Sequence, residues 1–478
     1  IGTIGIYKLI NISLGNHEFD NGVSGLTPFI ENLTCPVLAA NLNLNKEPLL
    51  QAETNLMKSV VFNITGNLVG VIGYLTPDTK VLAIRNDVEY IEEVEAITNE
   101  ARRLKEKGVN ILIALGHSGF TKDLQIAQEV NDIDLVIGGH TNTFLWNGTS
   151  PDVEVPEGPY PQMVPQESGK IVPAVQAYAY TKYLGKLHVS FDNNGEIVEV
   201  DGNPILLNSY IAQDVEVLDI VHRYRDDVMK VSEVVVGTTA VTLNGQTCRL
   251  MECNMGNLIT DAMVHKYAKD YTGQGWTDAP IAVIQGGGIR ASVSHFTLPS
   301  LVTVGDLLTV MPFDGSMAKV QISAMSILSM LEHSVAKYTT IRAVGQFLQV
   351  SGLFVEYDFM KSPGKRVVKV FARCGWCDVP QYELLNISKT YNILMPSFLS
   401  MGGDGFYMLD GLPLLSLDYD ELNSTIEYVK EHSPIMPAIE RRIVIHNADK
   451  LINSAFVQLP TLSLFVVLTL VSLFLTFD

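Results

Sequence analysis

Short apolar runs alternate with amphipathic stretches over the first two hundred residues. Val69–Tyr74 (VGVIGY), Ile111–Leu115 (ILIAL) and Leu135–Ile137 read as buried strands. Between them, Glu92–Lys107 puts Ile97, Ala101 and Leu104 on one helical face and meets a stop at Gly108. Thr121–Val130 repeats the pattern with Leu124, Ala127 and Val130. Strand, helix, strand, helix in this order predicts a layered α/β domain with a largely parallel sheet. Residues 145–175 are rich in Pro, Gly and Glu and read as a long surface excursion, and Lys186–Val200 reads as a hairpin turning at Asn193-Asn194-Gly195. Ile211–Val231 is a polar helix with a thin apolar stripe (Val217, Ile220, Val221, Tyr224, Val228) and is the expected interdomain linker. A second mixed α/β domain follows from about Val234 to Ile445. The expected boundaries are 1–210, a linker at 211–232, a domain at 233–447 and a tail at 448–478.

Length and charge narrow the function classes. A chain of 478 residues has room for two or three domains. Its 33 Lys+Arg against 52 Asp+Glu give a net charge of −19, which excludes general nucleic-acid binding through a basic surface. A small anionic substrate remains compatible, because a metal and a few arginines reverse the local field.

The end of the chain carries its own signal. No charge occurs from Leu451 to Phe477, and Leu462–Phe477 (LSLFVVLTLVSLFLTF) is followed only by Asp478. Small residues at Asn453, Ser454 and Ala455, with Asn447-Ala448 as a second candidate, precede it. That is the pattern of a GPI-anchor signal; a spanning helix and a buried terminal helix are the rival readings. The expected location is therefore the outer face of the cell surface, with a secreted form as the alternative. Six N-x-[ST] sequons, at Asn11, Asn32, Asn63, Asn147, Asn386 and Asn423, agree with an extracellular glycoprotein. The five cysteines form two close pairs, Cys248 with Cys253 and Cys374 with Cys377, plus Cys35. Two short-range disulfides are expected; a redox C-x-x-C or half a zinc site is the other reading of the second pair.

Three short sequences carry the chemistry: Leu14–Asp20 (LGNHEFD), Ala114–Ser118 (ALGHS) and Val136–Asn142 (VIGGHTN). The second and third end a strand-like run in Gly-His. Ligands of open α/β sheets bind beyond the carboxyl ends of the strands, so such histidines converge on one point. Imidazole nitrogen with an amide oxygen suits zinc, manganese and similar divalent ions. A lone Gly-His is ordinarily a structural turn; three in order, one of them Gly-Asn-His-Glu, point to a metal site.

These residues resemble the calcineurin-like metallophosphoesterases, whose signature runs D-x-H, G-D, G-N-H-[ED], G-H, G-H. The last three parts are present; the first two would lie upstream of residue 1, so the chain is expected to be N-terminally incomplete. In the second domain, GQTCRLMECNMGN (245–257), QGGGIR (285–290), MPFDG (311–315) and PSFLSMGGDGF (396–406) closely resemble the 5'-nucleotidase family, which includes ecto-5'-nucleotidases and insect apyrases. The resemblance implies a two-metal phosphomonoester hydrolase acting on AMP or another nucleoside 5'-monophosphate, two divalent ions of zinc type, a homodimer, and hinge motion between the domains. It implies Asn16, His117 and His140 as metal ligands and Asn142 beside the second metal. His17 would be catalytic and Asp20 would orient it. Arg249 and Arg290 would grip phosphate, Phe313 and Phe398 would sandwich the base, and Asp404 would hold the ribose. Disulfides Cys248–Cys253 and Cys374–Cys377 follow from the same likeness. On residue type alone, Gly286–Gly288 is equally a flexible turn, the two phenylalanines core packing and Asp404 a turn residue. Gln285 stands where the family has asparagine, and Thr260 and Val283 stand where it has a further disulfide. An apyrase acting on ATP and ADP is the alternative activity, and a catalytically inactive anchored nucleotide binder the alternative class.

Overall fold

The structure, a computed structural model, describes residues 11–448 apart from positions 85, 193, 296, 314 and 339–343. The chain divides into two compact units, Ile1–Asp226 and Asp227–Asp478. The apolar tail and the anchor positions from Asn453 lie outside the described residues; among those described, no helix is long and apolar enough to cross a membrane.

A six-stranded sheet organises the first unit. Its strands are β1 (Ser59–Ile64), β2 (Asn67–Leu75), β3 (Ile111–His117), β4 (Leu135–Ile137), β5 (Gln162–Pro165) and β6 (Ile171–Val175), in the order β5-β6-β4-β3-β2-β1. β2, β3, β4 and β6 are parallel; β1 and β5 are antiparallel edges. The helices α1 (Glu93–Lys105) and α2 (Phe120–Glu129) lead into β3 and β4. Glu92 caps α1, its carboxylate accepting from Glu95 N at 3.0 Å, so the helix starts one residue after the expected position. Ile97, Ala101 and Leu104 are buried against Ile72, Leu112 and Ala114 of the sheet. Truncating a buried leucine such as Leu104 to alanine costs about 2–5 kcal/mol.

Two expectations change here. Residues 145–175 are not wholly a surface excursion: β5 and β6 lie within them and extend the sheet, burying Val164, Val172 and Ala174. The hairpin is shifted, pairing Leu187–Phe191 with Ile197–Gly202. The helix expected over 211–231 spans Val215–Ser232 (α3), and none of its residues is buried.

The second unit is built on a five-stranded mixed sheet. Its strands are β7 (Ile281–Gln285), β8 (Met317–Ser323), β9 (Leu348–Ser351), β10 (Thr390–Pro396) and β11 (Leu414–Ser416), in the order β9-β7-β10-β8-β11. Two clusters of buried side chains fill this unit; one holds Ile281, Val283, Val320, Met330 and Phe347, the other Ala282, Ile284, Ile259, Met263 and Val429. Alternate residues of β7 thus face opposite cores, as the two-residue strand period requires. Helices α4 (Asn254–Asp270) and α6 (Glu421–His432) line the second cluster, joined by Leu307 and Val310 of the short helix Val304–Val310; α5 (Ala324–Ser334) serves the first. Both disulfides, Cys248–Cys253 and Cys374–Cys377, are formed, and Cys35 is a buried free thiol.

Candidate active site

In the first unit, the Gly15–Asp20 segment folds into a single tight turn. Gly15 N donates to Glu18 Oε2 at 2.7 Å, and Phe19 drops fully into the core. This leaves Asn16 buried and His17 half-exposed. His17 Nδ1 lies 2.9 Å from Asp20 Oδ2. A carboxylate only accepts, so Nδ1 carries the proton and Nε2 is the nitrogen presented outward. Asn16 Oδ1 is buried and has no hydrogen-bond partner, a costly condition that a cation relieves.

His117 is the last residue of β3, and His140 follows β4 by three residues. Their rings stand edge to face, 5.0 Å between centroids. A Cβ at position 15 would sit 2.9 Å from His117 Cδ2, so glycine there lets the first motif lie against the second. Burial pushes the His117 imidazole down to about 4, with repulsion from His17 adding to it; at neutral pH its ring is uncharged and able to ligate. His140 (φ 81°) and Asn142 (φ 57°) hold left-handed backbone conformations, uncommon for such residues and sustained only by their surroundings. Gln176 provides much of that support. Its Nε2 donates to Gly139 O (2.9 Å) and to Asp123 Oδ2 (2.6 Å), and its Oε1 accepts from Thr143 N (3.1 Å). One buried amide thus brackets the loop bearing His140 and Asn142. Tyr74 Oη donates to the other oxygen of Asp123 at 2.7 Å; burial raises the Asp123 carboxyl to about 7 despite these donors.

The residues present fit a divalent ion: a partnerless buried amide oxygen, a neutral imidazole and a second imidazole beside it. The structure brings Asn16, His17, Asp20, His117 and His140 together. Asn142 is exposed, two residues beyond His140.

In the second unit the expected binding residues gather around the turn after β7. Gln285 ends that strand, buried, with Oε1 lacking a partner. Gly286 N and Gly287 N donate to Phe347 O (2.6 Å) and Gly345 O (2.8 Å). A Cβ on Gly287 would meet Gly345 Cα at 3.0 Å and Asp404 Oδ2 at 3.4 Å, so paired glycines admit the carboxylate. Asp404 has a left-handed backbone (φ 53°), and its carbonyl accepts from His333 Nε2 at 2.8 Å. Phe398 lies over Gly403, where a Cβ would be 2.5 Å from the ring. Arg290 is tied by its own N–H to Val310 O (2.8 Å) and by Nη1 to Gly287 O (3.3 Å), and its guanidinium lies 5.7 Å from the centre of the Phe313 ring. The backbone of Arg249 abuts Gly286. Its loop is closed by the Cys248–Cys253 disulfide and by Gln349, which is fully buried. Gln349 accepts from Cys253 N (3.0 Å) and donates to Cys248 O and Met251 O (2.8 Å each).

Sequence reasoning missed Gln176, Gln349 and His333. The two glutamines carry a readable signal: each is a lone amide inside an apolar run, Ile171–Ala177 and Phe347–Val350.

Residues 5–144 match the family described as calcineurin-like phosphoesterase, and residues 235–411 match the 5'-nucleotidase C-terminal domain. The chain is 44% identical to Protein 5NUC of Lutzomyia longipalpis over 91% of its own length and 77% of that protein. It is 41% identical to the snake venom 5'-nucleotidase of Naja atra, covering 91% and 82% of the two chains. The crystal structure of a 5'-nucleotidase precursor from Thermus thermophilus superposes with a TM-score of 0.81 at 32% identity, covering 91% and 83%. The chain belongs to the 5'-nucleotidase family, hydrolases that join a calcineurin-like phosphoesterase domain to a 5'-nucleotidase C-terminal domain.

Proposed function

We propose that this protein hydrolyses nucleoside 5'-monophosphates, AMP foremost, to nucleoside and inorganic phosphate, using two divalent ions of zinc type. The observation that carries the proposal is the buried, partnerless Asn16 Oδ1 in the same turn as the His17–Asp20 pair. Asn16, His117 and His140 would hold metal, with Asn142 near the second ion. Bound there, the ions supply Lewis-acid charge to the phosphate oxygens and an activated water. His17 presents Nε2 to the phosphoryl group and stabilises its charge, and Asp20 keeps that nitrogen correctly oriented. Arg249 and Arg290 grip phosphate oxygens with planar guanidinium forks. Phe313 and Phe398 take the two faces of the base, Asp404 accepts from the ribose hydroxyls, and the orphan Gln285 oxygen accepts from the nucleotide.

The site is proposed to face the extracellular space, on a GPI anchor signalled by the apolar stretch Leu462–Phe477. The two disulfides and the exposed sequons at Asn32, Asn63 and Asn386 support an oxidising, glycosylating compartment. The family resemblance supports a homodimer.

The test is a substrate panel. Phosphate release from AMP, matched mole for mole by nucleoside, is the expected result; release from ADP and ATP with AMP left intact would replace this reading with an apyrase.

A further inference from the structure

Away from the nucleotide residues, helices α4 and α6 pack side by side and bring together His265, Glu431 and His432. One ligand atom from each lies within 4.8 Å of the others. His265 Nε2 stands 2.8 Å from Glu431 Oε2, and the ring of His432 meets that of His265 edge-on, 4.8 Å between centroids. A surface ion pair explains His265 and Glu431 alone, but not the setting of His432.

Its Nδ1 lies 2.9 Å from Tyr428 O, one helical turn back, and its ring stacks on Tyr428 at 4.1 Å. A carbonyl only accepts, so Nδ1 carries the proton and Nε2 is the lone-pair nitrogen. Such a carbonyl contact is how proteins fix the tautomer and orientation of a metal-binding histidine. The carboxylate is held as well: Lys269 bonds Glu431 Oε1 and Glu427, leaving Oε2 on the histidine side. All three side chains stand on helices rather than loops, which favours a fixed geometry.

We propose that His265, Glu431 and His432 bind one divalent transition-metal ion of zinc type and clasp α4 to α6. Two imidazoles and one carboxylate suit zinc, nickel or copper, whereas magnesium and calcium take mainly oxygen ligands. The ion replaces the hydrogen between His265 Nε2 and Glu431 Oε2, and the imidazole carries its proton on Nδ1 instead. Zinc bonds of about 2.0–2.2 Å in tetrahedral geometry set such ligand atoms about 3.3 Å apart, so the pair opens only slightly. None of the three residues belongs to the nucleotide machinery.

The experiment uses tag-free, full-length protein equilibrated with zinc chloride and desalted, with zinc per chain measured by mass spectrometry. The wild type is expected to retain about one more zinc ion per chain than His432→Ala or Glu431→Gln. Zinc is expected to raise the thermal midpoint of the wild type by a few degrees more than that of either variant. AMP hydrolysis stays unchanged in both variants. Far-UV circular dichroism confirms that each is folded, and Glu431→Gln keeps an acceptor for Lys269 should His432→Ala fail that check. Equal zinc content and equal zinc-dependent midpoints in wild type and folded variants would overturn the proposal.

Discussion

His17 Nδ1 and Asp20 Oδ2 meet at 2.9 Å within one turn whose floor is the buried Phe19. The carboxylate fixes Nδ1 as the protonated nitrogen; in the proposed mechanism this turns Nε2 to the substrate and stabilises any positive charge that develops on the ring. Asp20→Asn keeps an acceptor but removes the charge. It is expected to lower kcat by about 10- to 100-fold, with KM for AMP and metal content within about twofold of wild type. Steady-state kinetics with metal analysis checks this; a loss confined to KM would mean that Asp20 serves binding instead.

Asn16→Ala tests the partnerless amide oxygen. No hydrogen bond at Oδ1 is lost, so the denaturation midpoint should change by less than about 1 kcal/mol in free-energy terms. The zinc concentration for half-maximal activity should rise at least about 10-fold. Titration of chelator-stripped protein reads that shift.

Gln176→Ala removes the bracket on the His140 loop. Four hydrogen bonds disappear, and the buried Asp123 Oδ2 is left unpaired. Urea unfolding should show a loss of about 2–4 kcal/mol. Metal affinity should fall as well, although Gln176 is not among the proposed ligands, because the left-handed conformations at His140 and Asn142 lose their support.

Glu421, the first residue of α6, makes a pH prediction. Its Oε2 is buried and unpartnered, and burial pushes the carboxyl up to about 7; its own backbone N–H opposes this and Asp420 adds to it. The folded state therefore holds a proton that the unfolded state releases near pH 4.5. Stability falls as pH rises between about 4.5 and 7 and levels off above. The displacement corresponds to at most about 3 kcal/mol, reduced by the helix N-terminus, which favours the anion. Glu421→Gln should match wild type near pH 4.5 and exceed it in thermal midpoint above pH 7.

The parts of the fold that were legible in the sequence are those with a local period. Ile97, Ala101 and Leu104 lie on one face of α1, and the runs before His117 and His140 are parallel strands ending side by side. β5 and β6 escaped notice because four- and five-residue strands, one ending in Pro165 and the other containing Pro173, are swamped by the Pro, Gly and Glu around them. The grouping of Asn16, His17, His117 and His140 was legible because each residue sits in a compact motif. Their support was not: Gln176 reaches Asp123 across 53 positions, and His333 reaches Asp404 across 71. Such pairings depend on sheet topology, which no local pattern encodes. On residue type alone Asp404 reads equally as a turn residue; its backbone is left-handed, and two glycines from other segments make room for its carboxylate.

In the proposed mechanism a metal centre held by Asn16, His117 and His140 serves AMP hydrolysis with His17. Its most direct test strips the protein, expressed from its full coding sequence, with a chelator and follows phosphate release from AMP as zinc is restored. Activity abolished by stripping, recovered by zinc and absent in a folded, zinc-loaded His17→Ala variant is the predicted result. Undiminished AMP hydrolysis by verified metal-free protein would rule out a catalytic metal centre at these residues.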